Sequence, residues 1–305
     1  MKKILLTFLI ILFTLTSNVV WSADYNKGRE AFDSGDYATA LREWTPLAEQ
    51  GDDELQLTLG FIYDAGLGVP KDYKTAVKWY KLAAEQGNAI AQLNMGLMLR
   101  NGLGVKQDNK TAVKWYKLAA EQGNSDAQYN LGWMYDKGLG VQQDYKTAVK
   151  WYRLAAEQED NLAQYALGWI YDFGLGVPQN YATSARWYRL AAEQGNSDAQ
   201  YALGSMFRLG YGVVKNNETA VKWYKLAAEH GHSGGIYYLG VMYATGQGVK
   251  QDKIYAYMWG NISASNGDEN GRILLEKVSK VMTSNEISIA KELTELCLEK
   301  RLKDC

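Results

Sequence analysis

The chain has few of the residues on which catalysis and metal binding most often depend. Its 305 residues include two histidines, His230 and His232, and two cysteines, Cys297 and Cys305. The histidines stand two residues apart in the segment EHGHSGG without an accompanying set of further ligands, so we expect no metal site. No nucleophile motif is recognisable either. The sequence therefore predicts a protein that is not an enzyme and has no cofactor.

An excess of basic residues is also absent. Lys and Arg number 33 against 34 Asp and Glu, for a net charge of −1, and removal of Lys2 and Lys3 would make the balance more negative. Proteins that bind nucleic acid need clustered positive charge to neutralise phosphates. We therefore expect no nucleic-acid partner.

A long apolar run is present only at the start of the chain. The segment MKKILLTFLIILFTLTSNVVWSADY places two lysines before apolar residues 4–15, and the small residues Ser22 and Ala23 follow. This pattern is typical of a secretory signal peptide over residues 1–23, cleaved after Ser22 or Ala23. An uncleaved N-terminal anchor is the alternative. We expect an exported chain, periplasmic or else secreted or surface-exposed, that is not inserted in the membrane after signal removal.

Cys297 and Cys305 both lie in the last ten residues. On one straight helix they would be roughly 12 Å apart, since a helix rises 1.5 Å per residue. A disulfide therefore requires the chain to turn back after about Leu302. Three states stay open from the sequence: an intramolecular disulfide, two free thiols, or an intermolecular bridge.

What the sequence has in abundance is repetition. The segment KTAVKWYKLAAEQGN occurs identically at 74–88 and 110–124, and near copies begin at 146, 182 and 218. Tryptophans recur every 36 residues from Trp79 to Trp259, and Trp44 precedes Trp79 by 35. A fixed period of this length indicates a solenoid of stacked repeats.

Each period contains two helical patterns. In the first helix, Ala112, Tyr116 and Ala119 share one face, Asp108 is a natural N-cap, and Gly123 is a natural stop. The second helix opens with Ser125, followed three residues later by Gln128. This spacing predicts a capping box, and it repeats at Asp53 with Gln56, Asn161 with Gln164, and Ser197 with Gln200. Each unit is therefore predicted to be a helix hairpin.

A glycine loop follows each second helix, as GLGV at residues 66, 102, 138 and 174, GYGV at 210 and GQGV at 246. Glycine-rich turns can cradle phosphate, but no Lys-Ser/Thr pair follows these loops. Because the loop recurs once per repeat, we interpret it as a turn with positive φ that returns the chain. Glu159 stands where the other repeats have glycine at the end of the first helix, so a strained or reshaped turn is expected there.

The succession KWYKLAAEQGN, AQYNLGWMYDKGLGV and then Asp-Tyr resembles the Sel1-like repeat, a subclass of tetratricopeptide-type repeats, over roughly residues 36–267. The resemblance implies an all-α, right-handed α-solenoid of stacked helix hairpins that acts as an adaptor or binding scaffold. Some cysteine-rich relatives are described as β-lactam-binding or β-lactam-hydrolysing proteins. This chain lacks their regular cysteine pair in each repeat, so that activity carries over poorly.

The repeat pattern divides the chain into five parts. They are a signal peptide at 1–23, an N-terminal capping helix at 24–35, six Sel1-like repeats at 36–251, a partial seventh repeat at 252–281, and a C-terminal capping helix at 282–305. The last helix opens with a predicted capping box of Thr283 and Glu286.

Binding chemistry is expected at positions that vary between repeats. A row on the second helices, spaced i, i+4, i+7, is richest in aromatic residues at its centre. Its candidates for binding a partner are Tyr129, Trp133, Asp136, Tyr165, Trp169 and Asp172. Tyr and Trp dominate binding hot spots, so this row is a candidate groove for a peptide or glycan. The alternative, which we prefer at this point, is that the row packs between neighbouring hairpins.

A second candidate surface is a basic stripe on the first helices. It comprises Lys78, Lys114, Lys150, Arg186 and Lys222. An acidic partner could meet this stripe, but nearby glutamates such as Glu121 favour a solvated face.

The sequence thus predicts an exported, monomeric adaptor that binds a protein or peptide partner through the groove of its solenoid. One alternative is a secreted or surface factor that engages host proteins. An alternative from another class is a hydrolase active on cell wall or β-lactams.

Overall fold

The structure is a computed structural model, and it describes residues 23–303 and 305. The predicted signal peptide falls almost entirely on residues 1–22 and so lies outside the described residues. The described chain contains sixteen α-helices and no strand. They are α1 (Tyr25–Asp33), α2 (Tyr37–Glu49), α3 (Asp53–Ala65), α4 (Tyr73–Glu85), α5 (Ala89–Asn101), α6 (Asn109–Glu121), α7 (Ser125–Lys137), α8 (Tyr145–Glu157), α9 (Asn161–Phe173), α10 (Tyr181–Glu193), α11 (Ser197–Leu209), α12 (Asn217–Glu229), α13 (Ser233–Thr245), α14 (Lys253–Ser265), α15 (Glu269–Ser279) and α16 (Ser284–Glu299).

These helices form two compact units, up to Ala83 and from Ala84 onward. In the first unit α1 packs on α2 and α2 on α3. In the second unit each helix from α5 to α14 packs against the next one in the chain, and α16 packs on α14, which is the architecture of an α-solenoid. The predicted fold class is therefore confirmed. The even-numbered helices from α4 to α14 are the first helices of the sequence pattern, and the odd-numbered helices from α3 to α13 are the second helices.

The first helices contribute mainly alanine and tyrosine to the core. Ala112, Tyr116, Ala119 and Ala120 of α6 are buried, as the helical pattern predicts, and the first helices on either side repeat the arrangement. The ring of Tyr152 in α8 lies against Gly132 of α7, where a Cβ atom would approach it to 2.8 Å. Glycine is thus needed here for the close packing of a second helix on the first helix that follows it.

The predicted capping boxes on the second helices are wrong. The N-cap of α7 is Asn124, one residue earlier than predicted, and its side chain accepts from the backbone N–H of Ala127. Asp52, Asp160 and Asn196 cap α3, α9 and α11 in the same way. An Asn or Asp side chain reaches the third N–H directly, so the helix needs no partner from Gln128.

The glutamines have another role. Gln128 is buried, and its Nε2 donates to the carbonyl of Ala120 at 3.1 Å, which ties α7 to α6. Gln158 Nε2 in turn donates to Gln128 Oε1 at 2.8 Å and so connects one repeat to the next. This ladder satisfies polar groups that would otherwise be buried without partners.

Two other local predictions are confirmed. Asp108 caps α6 by accepting from Thr111 N–H, and Thr283 and Glu286 form the capping box of α16.

Glu159 adopts a φ of 66°, a conformation that glycine occupies at the equivalent Gly123 and Gly195. The turn is therefore preserved and the non-glycine residue is strained, because an L side chain crowds the backbone at positive φ.

The glycine loops are turns that also cover helix ends. Gly138 is the left-handed C-cap of α7, and Gly140 has a φ of 71°. A Cβ atom on Gly140 would collide with the backbone of Asn109 and Lys110 at the start of α6. The loop thus packs on the N-terminus of α6, which agrees with its interpretation as a structural turn.

Cys297 and Cys305 form a disulfide with a Cα–Cα distance of 5.5 Å. The chain turns back after α16 through Arg301 and Leu302, both at positive φ. Cys297 packs in the core beside Met258 and Trp259 of α14. The C-terminal helix is thereby attached to the last repeat.

Candidate functional site

The aromatic row on the second helices is half-buried. In α7 the ring of Tyr129 lies 5.7 Å from the ring of Tyr152, and in α9 Tyr165 lies 5.7 Å from Tyr188 in the same tilted geometry. The row therefore contributes to the packing of the second helices on the first helices. One side of each ring packs on the core, and the other remains accessible.

Each of the two tryptophans of the row makes a cation–π contact with a basic side chain of the same protein. The guanidinium of Arg100, in α5, lies 5.1 Å from the ring centre of Trp133, and Lys137 Nζ lies 5.1 Å from that of Trp169. Arg100 also donates to Asn130 Oδ1 at 2.7 Å. Such cation–π contacts are favourable and fix the long side chains against the rings.

Tyr129 and Trp133 line a first pocket between α5 and α7, with a volume of about 480 Å³. Its remaining walls are mostly polar, with one arginine and one leucine, and they comprise Arg100, Asn101, Gln107, Asn109, Asn130 and Leu139. The pocket offers amide groups and one guanidinium beside an aromatic surface. Groups of this kind donate to carbonyls and carboxylates of a bound chain.

Tyr165, Trp169 and Asp172 line a second pocket between α9 and α11, with a volume of about 500 Å³. Its other residues are mostly aromatic or apolar, and they comprise Phe173, Gln179, Tyr181, Tyr188, Asp198, Tyr201, Ala202, Ser205, Met206, Leu209, Tyr211 and His232. The two pockets therefore differ in charge: the first contains an arginine and the second contains two aspartates.

Asp136 lies in neither pocket. It is 4% exposed, accepts from the hydroxyl of Tyr152 at 3.3 Å and pairs with Lys137 at 3.1 Å. The structure thus places this predicted binding residue inside the packing between α7 and α8. Its equivalent Asp172 is half-buried in the wall of the second pocket, and burial raises the pKa of its carboxyl above the usual range.

The second pocket contains residues that sequence reasoning did not select. Tyr201 stacks on His232 with ring centres 4.6 Å apart, and His232 Nε2 lies 3.3 Å from Asp198 Oδ1. His232 is the N-cap of α13, where α7 and α11 have asparagine, and its Nδ1 accepts from Gly235 N–H. Comparison of equivalent positions could have found it, because it is a histidine in a series of asparagines and aspartates.

The basic stripe is exposed on the first helices. Its members in the second unit are Lys114, Lys150, Arg186 and Lys222, and Lys78 is exposed in the first unit. Leu118 and Leu154 follow Lys114 and Lys150 by one helical turn and are 46% and 44% exposed. The stripe is therefore interrupted by apolar side chains, and no concave site accompanies it among the pockets described above.

Within residues 23–303 and 305, no group of three His, Cys, Asp or Glu side chains is arranged to hold a metal ion. No helix of this described part is long and apolar enough to cross a membrane. His230 takes the place of a ladder glutamine, with its Nδ1 2.9 Å from Gln200 Oε1.

Stacked helix pairs with a regular 36-residue period and aromatic pockets on the second helices define a helical-repeat protein of the solenoid class. The family model of the Sel1 repeat matches six consecutive segments, residues 55–88, 89–124, 125–160, 161–196, 197–232 and 233–268. The chain therefore belongs to the Sel1 repeat family. The family repeat starts at the second helix of our sequence pattern, so it groups α7 with α8 across the glycine loop, where Gly132 meets Tyr152.

Two solved structures are similar to this chain. A Sel1 repeat protein from Oxalobacter formigenes is 35% identical, with a TM-score of 0.72, over 80% of this chain and 100% of its own. A protective antigen of uropathogenic Escherichia coli strains that displays an SLR fold is 29% identical, with a TM-score of 0.59, over 91% of this chain and 68% of its own. No curated protein matches this chain. Sel1 repeat proteins generally mediate protein–protein interaction, and the fold is typically a non-catalytic scaffold.

Proposed function

We propose that this protein is an exported adaptor that binds a segment of a partner protein along its second helices, through the two pockets. The observation that carries the proposal is the repeated pairing of a half-buried tyrosine with a half-buried tryptophan, Tyr129 with Trp133 and Tyr165 with Trp169, each beside a pocket of about 500 Å³. Fold alone does not determine function, so the proposal depends on these side chains.

Half-burial supports a binding role on energetic grounds. The contacts of Tyr129 with Tyr152 and of Tyr165 with Tyr188 hold the rings before a partner arrives, so little conformational entropy is lost on binding. The remaining ring surface is apolar and can be buried by a partner. Substitution of an aromatic hot-spot residue by alanine typically weakens binding by about 2 kcal/mol or more.

The test is a capture experiment with residues 24–305 as bait, alongside a variant with Trp133→Ala and Trp169→Ala. A variant with Leu118→Ala and Leu154→Ala is the matched control, because these exposed leucines lie on the first helices. All three proteins are first compared for helicity and melting temperature. The partner should be captured by the unmodified bait and by the control, and lost with the tryptophan variant.

Equal capture by all three folded baits would contradict the aromatic groove. Binding would then be sought on the basic stripe by substituting Lys114, Lys150, Arg186 and Lys222 with glutamine, since these side chains are exposed. A tryptophan variant that unfolds would instead show that the two rings act mainly in packing.

The proposed location is the periplasm, and what supports it is the signal-like N-terminal sequence. Fusion of full-length protein to a reporter that is active only after export should give activity, and a fusion lacking residues 1–23 should give none. Fractionation would then separate periplasmic from released protein. Failure to hydrolyse a chromogenic β-lactam is expected of the purified mature chain, and turnover at an enzymatic rate would contradict the scaffold role.

A further inference from the structure

The second pocket contains a carboxylate without a partner in the described part of the chain. No hydrogen bond or ion pair joins the side chain of Asp172 to another described residue, although burial already disfavours its charged form. The equivalent residues of the neighbouring repeats are engaged. Asp136 pairs with Lys137, and Arg208 Nε donates to the hydroxyl of Tyr224 at 3.2 Å. A half-buried charge of this kind is stabilised when an opposite charge approaches.

A second carboxylate faces the same space from α11. Asp198 Oδ1 accepts from His232 Nε2, and His232 uses its Nδ1 to accept from Gly235 N–H, which is the arrangement of a neutral ring. A neutral His232 brings no positive charge to Asp198. Both carboxylates line the pocket together with Tyr165. Burial, and then the charges of Asp198 and Asp172, raise the pKa of the Tyr165 hydroxyl.

The second pocket differs from the first in the size of one lining residue. Ser205 occupies on α11 the position that Trp133 occupies on α7 and Trp169 on α9, so a small side chain replaces an indole. The pocket has a volume of about 500 Å³, and its walls include the rings of Tyr165, Trp169 and Tyr201. No lysine or arginine is among its described lining residues. Aromatic faces and carboxylates both attract cations.

The first pocket contains an example of a cation packed on an aromatic wall. There the guanidinium of Arg100 lies over Trp133 and is supplied by the chain itself. Lys137 lies over Trp169, but it does not line the second pocket and its charge is paired with Asp136. No lysine or arginine of the described chain therefore enters the second pocket beside Asp172 and Asp198 as Arg100 enters the first pocket.

We infer that the second pocket binds a lysine or arginine side chain of the partner, between its aromatic rings and the carboxylates of Asp172 and Asp198. Apolar residues that flank this cation in the partner contact the rim, where Phe173, Leu209 and Tyr211 are 60%, 44% and 47% exposed. The inference rests on the proposed function and names the residue class that the adaptor recognises.

The test uses two defined peptides, acetyl-Ala-Leu-Lys-Leu-Ala-amide and the same peptide with norleucine in place of lysine. Norleucine keeps the alkyl stem and lacks the ammonium group. Both are titrated into isotope-labelled protein of residues 24–305, and the indole N–H signal of Trp169, assigned with a Trp169→Phe variant, is followed by NMR. We expect the lysine peptide to bind about tenfold more tightly, which is the scale of a cation held on aromatic rings beside a carboxylate.

Asp172→Asn keeps the shape of the side chain and removes its charge, so it should abolish the preference for lysine. Glu157→Gln is the matched control, because it removes one charge from an exposed site on α8 and should leave the preference intact. Equal binding of the two peptides, or a preference that survives in Asp172→Asn, would overturn the inference. If the two peptides bound equally and Trp169→Ala removed the binding of both, the proposed adaptor function through the aromatic residues would remain supported.

Absence of any shift of the Trp169 signal at millimolar peptide would also overturn the cation inference. The proposed function would then be decided separately by the capture experiment, whose variants change the tryptophans and leave Asp172 in place. The two proposals can therefore fail independently.

Discussion

Glu159 occupies a backbone position at which the equivalent residues Gly87, Gly123, Gly195 and Gly231 are glycine, and all of them have positive φ. An L residue in this region costs roughly 1–2 kcal/mol relative to its relaxed conformation. Glu159→Gly is therefore expected to raise the free energy of unfolding by about 1 kcal/mol, measured by urea denaturation. The reverse change, Gly123→Glu, is the matched control, because its Cβ meets no atom within 4 Å. It should lower stability by a similar amount, and no change in either variant would contradict the strain argument.

His232 is the residue expected to make the fold sensitive to mild acid. Burial lowers the pKa of its imidazole, and Asp198 opposes this without reversing it. A proton on Nδ1 would also abolish the cap on Gly235 N–H. Because its folded pKa lies below its unfolded value, the stability that neutral His232 contributes is complete above the unfolded pKa of about 6.5 and is lost as pH falls below it.

His232→Asn, which restores the cap residue of α7 and α11, should therefore reduce the loss of melting temperature between about pH 8 and about pH 5.5. His230→Gln is the matched control, because it restores the ladder residue of the other repeats and leaves His232 in place. That control should keep the full acid sensitivity. An unchanged pH profile in His232→Asn would show that other groups are responsible.

At the scale of the element, the packing of a second helix on the following first helix depends on a glycine opposite a tyrosine. In Gly132→Ala the new Cβ would come within 2.8 Å of the Tyr152 ring, and overpacking of a core typically costs about 1–3 kcal/mol. The gain in helix propensity, about 1 kcal/mol, offsets only part of this cost. We expect a net loss of stability in thermal or urea unfolding.

The control for Gly132→Ala is Asp126→Ala, an exposed change in the same helix α7 that should alter stability by no more than about 0.5 kcal/mol. A neutral or stabilising effect of Gly132→Ala would mean that α7 and α8 can separate at little cost. Close packing would then not explain why each repeat has a glycine at this position.

The glutamine ladder shows how elements are joined within the second unit. Gln128 accepts from Gln158 and donates to Ala120 at the same time, so its amide connects α6, α7 and the end of α8. The sequence pattern of Ser125 followed by Gln128 favoured a capping box, because the spacing is identical. The pattern could not reveal that Asn124 already caps the helix and that the glutamine side chain points to another element.

At the scale of the whole molecule, a repeat protein gains stability from each repeat and from the interfaces between neighbours. The contact between α16 and α14 is one such interface, because Cys297 packs with Met258 and Trp259. A chain ending at residue 281 should therefore lose hydrogen-exchange protection in α14, whereas α6 to α9 should keep theirs. Uniform loss across the chain would contradict nearest-neighbour behaviour.

The control for that truncation is the full-length chain with Cys297→Ser and Cys305→Ser. It removes the disulfide and keeps α16, so α14 should lose less protection than in the truncated chain. Equal loss in the two proteins would show that the disulfide, and not the apolar contact, holds α16 on the last repeat.

The fold class, the period and the approximate positions of the helices can be predicted from the sequence alone. These follow from local signals, since helical periodicity and capping involve residues within a few positions of one another. The six copies repeat the same signals in register, and the family match covers them. The sequence also selected Tyr129, Trp133, Tyr165, Trp169 and Asp172, all of which line the two pockets.

The surroundings of those residues could not be predicted without the folded structure. Asp136 and Asp172 occupy equivalent positions, yet Asp136 is buried against Tyr152 and Lys137 whereas Asp172 lies unpaired in a pocket wall. Lys137 pairs with Asp136, whereas Phe173 occupies the equivalent position beside Asp172. The pocket wall around Asp172 is completed by Tyr201 and Ser205 of the next repeat. A side chain's surroundings depend on residues 30 to 40 positions away, and a single repeat does not contain that information.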